Sequence, residues 1–142
     1  MRLLDLNILI YAVNSDSAKH EAAKRWVEDA LSGSERVVIP WPVILGFLRI
    51  VTSPRVMPRP LPANDALAIV DSWLAQPPVV VVHPGEEHWT LLRRFLKDSG
   101  TAGNLTMDAH LAVLAMEHGA ELYSTDSDFA RFPGLRWLNP LA

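Results

Sequence analysis

Along the chain, short apolar runs with strand character alternate with longer stretches in which apolar residues recur at helical spacing. Residues 2–4 predict a brief strand, followed by a helical turn through Ile8-Leu9-Ile10-Tyr11. Residues 18–31 predict an amphipathic helix, with Ala22, Trp26, Val27 and Ala30 on one face and Gly33 as its stop. Residues 36–39 predict a second strand. Pro42 sits where a helix can begin, and residues 43–51 are apolar nearly all round until Ser53-Pro54 ends them.

Residues 54–62 hold four prolines and two arginines, which makes a stiff loop. A helix over 65–74 follows, broken by Pro77-Pro78, and then the all-β-branched run 79–82, which reads as a central buried strand. Residues 86–97 predict a helix, 100–103 a flexible turn, and 106–118 a helix stopped by Gly119. A strand over 121–124, a turn with a short helix over 126–131 and a last strand over 135–137 complete the pattern. Strands separated by helices imply a parallel sheet with helices on both faces. The expected fold is α/β, a three-layer sandwich around four or five parallel strands, in a single domain over residues 1–142.

Composition narrows the class. With 49% hydrophobic and 20% charged residues in 142, the chain can bury a core and is not generally disordered. Cysteine is absent, which removes disulfides, thiolate zinc sites and a cysteine nucleophile. No apolar run approaches the roughly 18–20 residues of a membrane helix. Asp5 also interrupts the place where a signal peptide needs its apolar stretch, so a cytoplasmic protein is expected. The net charge of −3 argues against coating nucleic acid by bulk electrostatics, though not against gripping a phosphate locally. No acid occurs from Val37 to Asn64, while Arg49, Arg55 and Arg59 fall inside that span.

Ligands in open α/β sheets bind outside the carboxyl ends of the strands. Asp5 follows the first predicted strand, and Asp126 and Asp128 follow the fourth; Asp108 opens the 106–118 helix. Each has a structural explanation of its own: Asp5 as a helix cap, Asp108 as a complement to a helix dipole, Asp126 and Asp128 as an Asx turn. Their convergence at one sheet edge is the informative feature. Converging carboxylates raise one another's pKa unless a cation neutralises them, and hard ions such as Mg²⁺ or Mn²⁺ prefer such oxygen ligands. That chemistry suits phosphodiester hydrolysis by a metal-activated water. Phosphate-loop, dinucleotide and serine-elbow motifs are missing. Asn7 stands where an aspartyl phosphatase would want a second acid. The histidines lack the spacing of a helical zinc pair, so surface or supporting roles are expected for His20, His83, His88, His110 and His118. Trp26, Trp73 and Trp89 read as core or interface residues.

Taken together, Leu4-Asp5-Leu6-Asn7-Ile8-Leu9-Ile10-Tyr11, Pro40-Trp41 with Gly46-Phe47-Leu48-Arg49, Gly103-Asn104-Leu105 with Asp108-Ala109-His110, and Ser124-Thr125-Asp126-Ser127-Asp128-Phe129 before Gly134-Leu135 resemble a PIN-domain ribonuclease of the VapC toxin type. The resemblance covers essentially the whole chain. It implies a Mg²⁺-dependent endoribonuclease, with Mn²⁺ as a substitute, on a doubly wound α/β fold. It further implies a homodimer held inactive by a small antitoxin whose tail covers the acidic site. Asp5 matches the family's first metal-binding acid, Asp108 the third and Asp126 the fourth, with Asp128 auxiliary. Asn7 and Thr125 match polar residues that order the site.

One departure stands out. The family commonly carries a glutamate in the helix after the second strand, and Gly46 occupies that place here. A single ion on Asp5 and Asp108, with Asp126 helping through water, is therefore the expected arrangement. Arg49 stands either to hold substrate phosphate or to pair with a site acid, and Arg55 and Arg59 to meet RNA or the antitoxin. The alternative is a catalytically degenerate PIN-like module that binds RNA or a partner protein without cutting. A DNA structure-specific nuclease is the weaker third reading, because so short a chain leaves little room for substrate-gripping segments.

Overall fold

The computed structural model describes residues 1–100 and 102–142. In chain order the elements are β1 (Arg2–Leu4), α1 (Leu6–Val13), α2 (His20–Ser32), β2 (Val37–Val38), α3 (Trp41–Val51), α4 (Ala63–Leu74), β3 (Val79–Val80), α5 (His88–Ser99), α6 (Leu105–Glu117), β4 (Glu121–Tyr123), a 3₁₀ turn at Ser127–Arg131, and β5 (Trp137–Leu138). The five strands pair in the order β3-β2-β1-β4-β5, every pair parallel.

That order reverses at β1. The chain steps outward through β2 to β3, then crosses back to β4 on the other side and on to β5. Parallel crossovers are right-handed, so steps in opposite directions place their helices on opposite faces. The packing agrees: α1 contacts α2 and α3, α3 contacts α4, and α5 pairs with α6. The expected three-layer arrangement is what forms. The crevice between β1 and β4 is its topological switch point, the place where such sheets bind ligands.

The core explains the helices. α6 buries Leu105, Ala109, Leu111, Ala112, Val113, Leu114 and Ala115, nearly its full circumference, which is why its sequence is apolar without a clear stripe. α2 is amphipathic as expected, but its buried face is Ala23, Val27, Ala30 and Leu31, one position round from Ala22. α3 starts at Trp41 with Pro42 in its first turn, where the missing amide costs nothing. Phe47 and Trp73 meet edge-on at 4.7 Å and join α3 to α4.

One expectation is corrected. The run 79–82 forms a strand only at Val79–Val80, and this strand is an edge rather than a central one, since β2 is its sole neighbour; Val81 is already 53% exposed. Of the tryptophans expected in the core or at an interface, Trp73 is buried and Trp89 stands 66% exposed on α5. The turn expected over 100–103 includes residue 101, which lies outside the described residues; Gly100 and Gly103 beside it adopt φ of 72° and 44°.

Candidate active site

β1 ends on the fully buried Leu3 and Leu4, and the next residue is Asp5, only 8% exposed. A carboxylate so placed needs partners. Its Oδ1 accepts the Leu6 amide at 2.7 Å, capping α1, and its Oδ2 accepts the Ser124 hydroxyl at 2.6 Å. One oxygen of Asp5 thus caps the helix while Ser124 holds the other. Burial pushes the Asp5 pKa up, the two hydrogen bonds oppose this, and the Asp126 charge adds to the rise.

Ser124, fully buried just past β4, is the hub of the crevice. Besides donating to Asp5, its Oγ accepts from the Asp126 amide at 3.0 Å and from Asn7 Nδ2 at 3.3 Å. Asn7 Oδ1 in turn accepts the Thr125 amide at 3.5 Å. Asn7 and Thr125 lie where the sequence expects them, but Thr125 contributes backbone, and Ser124 carries the ordering that was expected of its neighbours. Its position as the first polar residue after Leu122-Tyr123 was the available signal.

Asp126 caps the 3₁₀ turn by accepting the Asp128 amide at 2.9 Å, the Asx geometry its sequence suggested. That local bond also brings two carboxylates beside the first turn of α6. Oxygens of Asp108, Asp126 and Asp128 lie within 4.8 Å of one another, a spacing that one cation can bridge. Asp5 is outside this tightest trio. Its effect on Asp108 is electrostatic: burial, then the charges of Asp5, Asp126 and Asp128 in turn, push the Asp108 pKa up to about 6, while Arg131 opposes them. Arg131 reaches Asp128 Oδ1 at 3.4 Å, a partner that sequence reading did not single out.

The donor set fits a divalent cation. All of its ligand atoms are oxygens, three acids face one another with a single arginine near them, and the repulsion registered at Asp108 is what a bound cation relieves. Hard ions of the Mg²⁺ and Mn²⁺ type match such ligands.

Gly46 lies on α3, and a Cβ built there would stand 2.7 Å from Leu6 Cδ2. Leu6 therefore fills the space into which a glutamate at this position would have to project. Arg49 and Arg55 are both exposed, and among the described residues neither forms an ion pair with an acid of the site. Arg59 pairs with Asp16 instead. On the far side of α6, His88 is buried and bonds Glu117 through Nδ1 and His110 through Nε2, the latter at 2.9 Å. This histidine supports the packing of α5 on α6, not the surface.

Carboxylates thus gather at the switch point of a five-strand parallel sheet, and the PIN domain family model matches residues 2–135. The chain belongs to this family, in its VapC ribonuclease branch. It is 47% identical to Ribonuclease VapC37 of Mycobacterium tuberculosis over 142 residues, covering all of this chain and 99% of that protein. Its fold is that of a chain in VapBC-1 from nontypeable Haemophilus influenzae, with TM-score 0.70, 18% identity and coverage of 99% and 98%. It is also similar to a chain of a toxin–antitoxin complex from Klebsiella pneumoniae, with TM-score 0.64, 17% identity and coverage of 99% and 98%.

Proposed function

We propose that this protein is a Mg²⁺-dependent endoribonuclease, the toxin of a type II toxin–antitoxin pair, which cuts RNA and so inhibits translation or growth. The observation that carries this reading is the trio Asp108, Asp126 and Asp128, whose oxygens lie within 4.8 Å of one another, where burial and then the charges of Asp5, Asp126 and Asp128 lift the Asp108 pKa to about 6. Family membership supplies the reaction class.

Asp108 and Asp126 would hold the ion, with Asp128 auxiliary and Asp5 adding negative charge nearby. When bound, the ion supplies an activated water and charge to offset the leaving oxygen. Ser124 fixes Asp5 and the Asp126 backbone so that the carboxylates meet without rearranging. Asn7 and the Thr125 amide tie β1's exit to β4's. Arg49 and Arg55, which pair with no acid among the described residues, are available to substrate phosphates or to an antitoxin. Mn²⁺ serves in place of Mg²⁺. A small antitoxin that covers the acids holds the enzyme inactive, and the toxin forms a homodimer or hetero-oligomer in the cytoplasm. No described helix is long and apolar enough to cross a membrane.

The second reading, a degenerate PIN module that binds RNA or protein without cutting, is favoured by one observation: Leu6 fills the place of the missing acid at Gly46. Incubating antitoxin-free protein with total bacterial RNA in Mg²⁺, Mn²⁺ or EDTA separates the two. Discrete metal-dependent ends, lost in Asp5→Asn and Asp108→Asn variants that keep their circular dichroism, are the expected result. RNA binding without new ends, indifferent to chelator, would establish the non-catalytic module instead.

A further inference from the structure

Asp5, Asp108, Asp126 and Asp128 bring four carboxylates to the switch point, and the charges of the other three are felt at Asp108. Even with a divalent ion bound, two of those four charges are left uncompensated, so an arriving phosphodiester meets net repulsion. A fixed cation beside the acids removes that penalty, and Arg131 is so placed. It ends the 3₁₀ turn, and its Nη2 lies 3.4 Å from Asp128 Oδ1. Its charge opposes the rise in pKa at Asp108, so its field reaches the trio and not Asp128 alone. This contact does not use the side chain up. A pair that served only to neutralise Asp128 would close to about 2.7–2.9 Å. Among the described residues it is the one hydrogen bond Arg131 makes, and the two side chains keep 45% and 51% exposure. Most of the five N–H donors of the guanidinium therefore remain open. Arg131 also lines a cavity of about 400 Å³ with Asp98, Ser99 and Pro133, so room for a substrate adjoins it.

We propose that Arg131 is a further catalytic residue of this site, whose guanidinium binds the non-bridging oxygens of the scissile phosphodiester, a proposal that rests on the ribonuclease reading above. The planar fork of an arginine matches two phosphate oxygens at once. Charge builds on those oxygens as the phosphorus is attacked, so the contact strengthens toward the transition state and acts on rate more than on binding. Arg131 transfers no proton and forms no bond; it holds and orients the phosphate. A purely structural pair makes the opposite prediction in one measurement. If Arg131 serves to hold Asp128 in place, its loss weakens the binding of a divalent ion. If it serves the phosphate, its loss removes a competing positive charge and leaves ion binding intact or tighter.

Calorimetric titration of Mn²⁺ into wild type, Arg131→Ala and Arg131→Lys, with the rate at which each makes new ends in total bacterial RNA in Mg²⁺, tests this. Arg131→Ala is expected to bind Mn²⁺ at least as tightly as wild type while cutting about 10²–10³-fold more slowly. Arg131→Lys keeps the charge without the fork and should recover part of that loss. In an Asp5→Asn background, which the nuclease reading expects not to cut, anisotropy of a fluorescein-labelled mixed-sequence RNA oligonucleotide over a salt series reads the contact without turnover. There Arg131→Ala should lower the slope of log K against log salt by about one. Mn²⁺ affinity lost together with cutting in Arg131→Ala would make the arginine a support for Asp128 and overturn the proposal. A wild-type cutting rate in Arg131→Ala, or an unchanged salt slope, removes the phosphate contact and leaves the nuclease. A lowered salt slope with no metal-dependent cuts by the wild type keeps the phosphate contact but removes the nuclease, and with it the catalytic role of Arg131.

Discussion

Leu6 and Gly46 share one space: Leu6 Cδ2 lies 2.7 Å from where a Cβ on residue 46 would stand. Leu6 directly follows Asp5 and opens α1, while Gly46 sits in the middle of α3. A mid-helix glycine costs about 0.5–1 kcal/mol relative to alanine. Here that cost is offset by the close approach of the two helices, which leaves the Leu6 side chain in the space that a Cβ at residue 46 would take.

This pairing makes Gly46→Ala depend on its neighbour. With Leu6 present, the new methyl must displace the terminal methyl of a half-buried side chain, a strain of about 1 kcal/mol that cancels the gain in helix propensity. With Leu6→Ala the strain is gone and the propensity gain remains. Urea unfolding of the four proteins of the cycle should give a coupling of about 1–2 kcal/mol. Equal effects of Gly46→Ala in both backgrounds would show that Leu6 does not fill that space.

Ser124→Ala removes the hydroxyl on which Asp5, Asn7 and the Asp126 amide converge. The buried Asp5 carboxylate then keeps only its bond from Leu6. The expected loss is about 1–3 kcal/mol of stability. Misalignment of the acids should also weaken divalent-ion affinity about 10- to 100-fold. Calorimetric titration of Mn²⁺ checks this, and Ser124→Thr, which keeps the hydroxyl, should recover most of it.

How far the sequence reveals this site depends on what kind of interaction makes it. Asp5 and Asp126 follow apolar strands, and Asp108 opens an apolar helix, so local pattern places them at one sheet edge once the strands are taken as parallel. Strand order is different. The β-branched run at 79–82 reads the same for a central strand as for an edge, and only its pairing with β2 alone decides. Ser124 is invisible as a hub because a hydroxyl's partners are set by tertiary packing: its bond to Asp5 spans 119 positions. Gly46 shows that an acid is missing, but not that Leu6 has taken its space. For His88 the sequence leaves surface and supporting roles open, and only the docking of α5 on α6 sets it against Glu117.

Asp108→Asn should stabilise the metal-free protein while abolishing its response to metal. The wild-type carboxylate is held against burial and three neighbouring acids, and a neutral amide is free of that repulsion. In EDTA near neutral pH the variant is expected to melt above the wild type. In Mg²⁺ the order should reverse or close, because the ion stabilises only a protein that binds it. A variant that melts lower in EDTA would contradict the repulsion at this site.

The same group sets a pH dependence. Asp108 has a folded pKa of about 6 against the ordinary aspartate value of 3.8, so between these values the folded protein holds a proton that the unfolded chain has released. Its contribution to metal-free stability is therefore greatest below that window, falls as pH rises through it and levels off above about 6. The raised Asp5 pKa acts in the same direction. Metal competes with that proton, so the rise in Tm produced by Mg²⁺ should be largest above about pH 6 and shrink steadily below it. Scanning calorimetry of wild type and Asp108→Asn, with and without Mg²⁺, isolates the effect as the difference between the two proteins. A Mg²⁺ increment that does not change with pH would exclude Asp108 as a ligand.

Glu117 carries the last expected effect. Its Oε2 accepts the Gly85 amide at 2.8 Å, its Oε1 is bonded to His88 Nδ1, and the neighbouring His118 bonds the His83 carbonyl at 2.8 Å. The segment 83–88 leading into α5 is thus fastened to the C-terminal end of α6, whose first turn holds Asp108. A Cβ at Gly85 would stand 2.6 Å from Glu117 Oε2, so the approach depends on glycine. Glu117→Ala leaves the buried His88 ring without its acceptor and should cost about 1–3 kcal/mol. Gly85→Ala should cost less, because the carboxylate can shift away. Both should speed hydrogen exchange at the 83–88 amides and in the first turn of α5, while β1 and β4 keep their protection. Exchange unchanged at those amides in Glu117→Ala would mean that the packing of α5 on α6, and not this carboxylate, holds the segment in place.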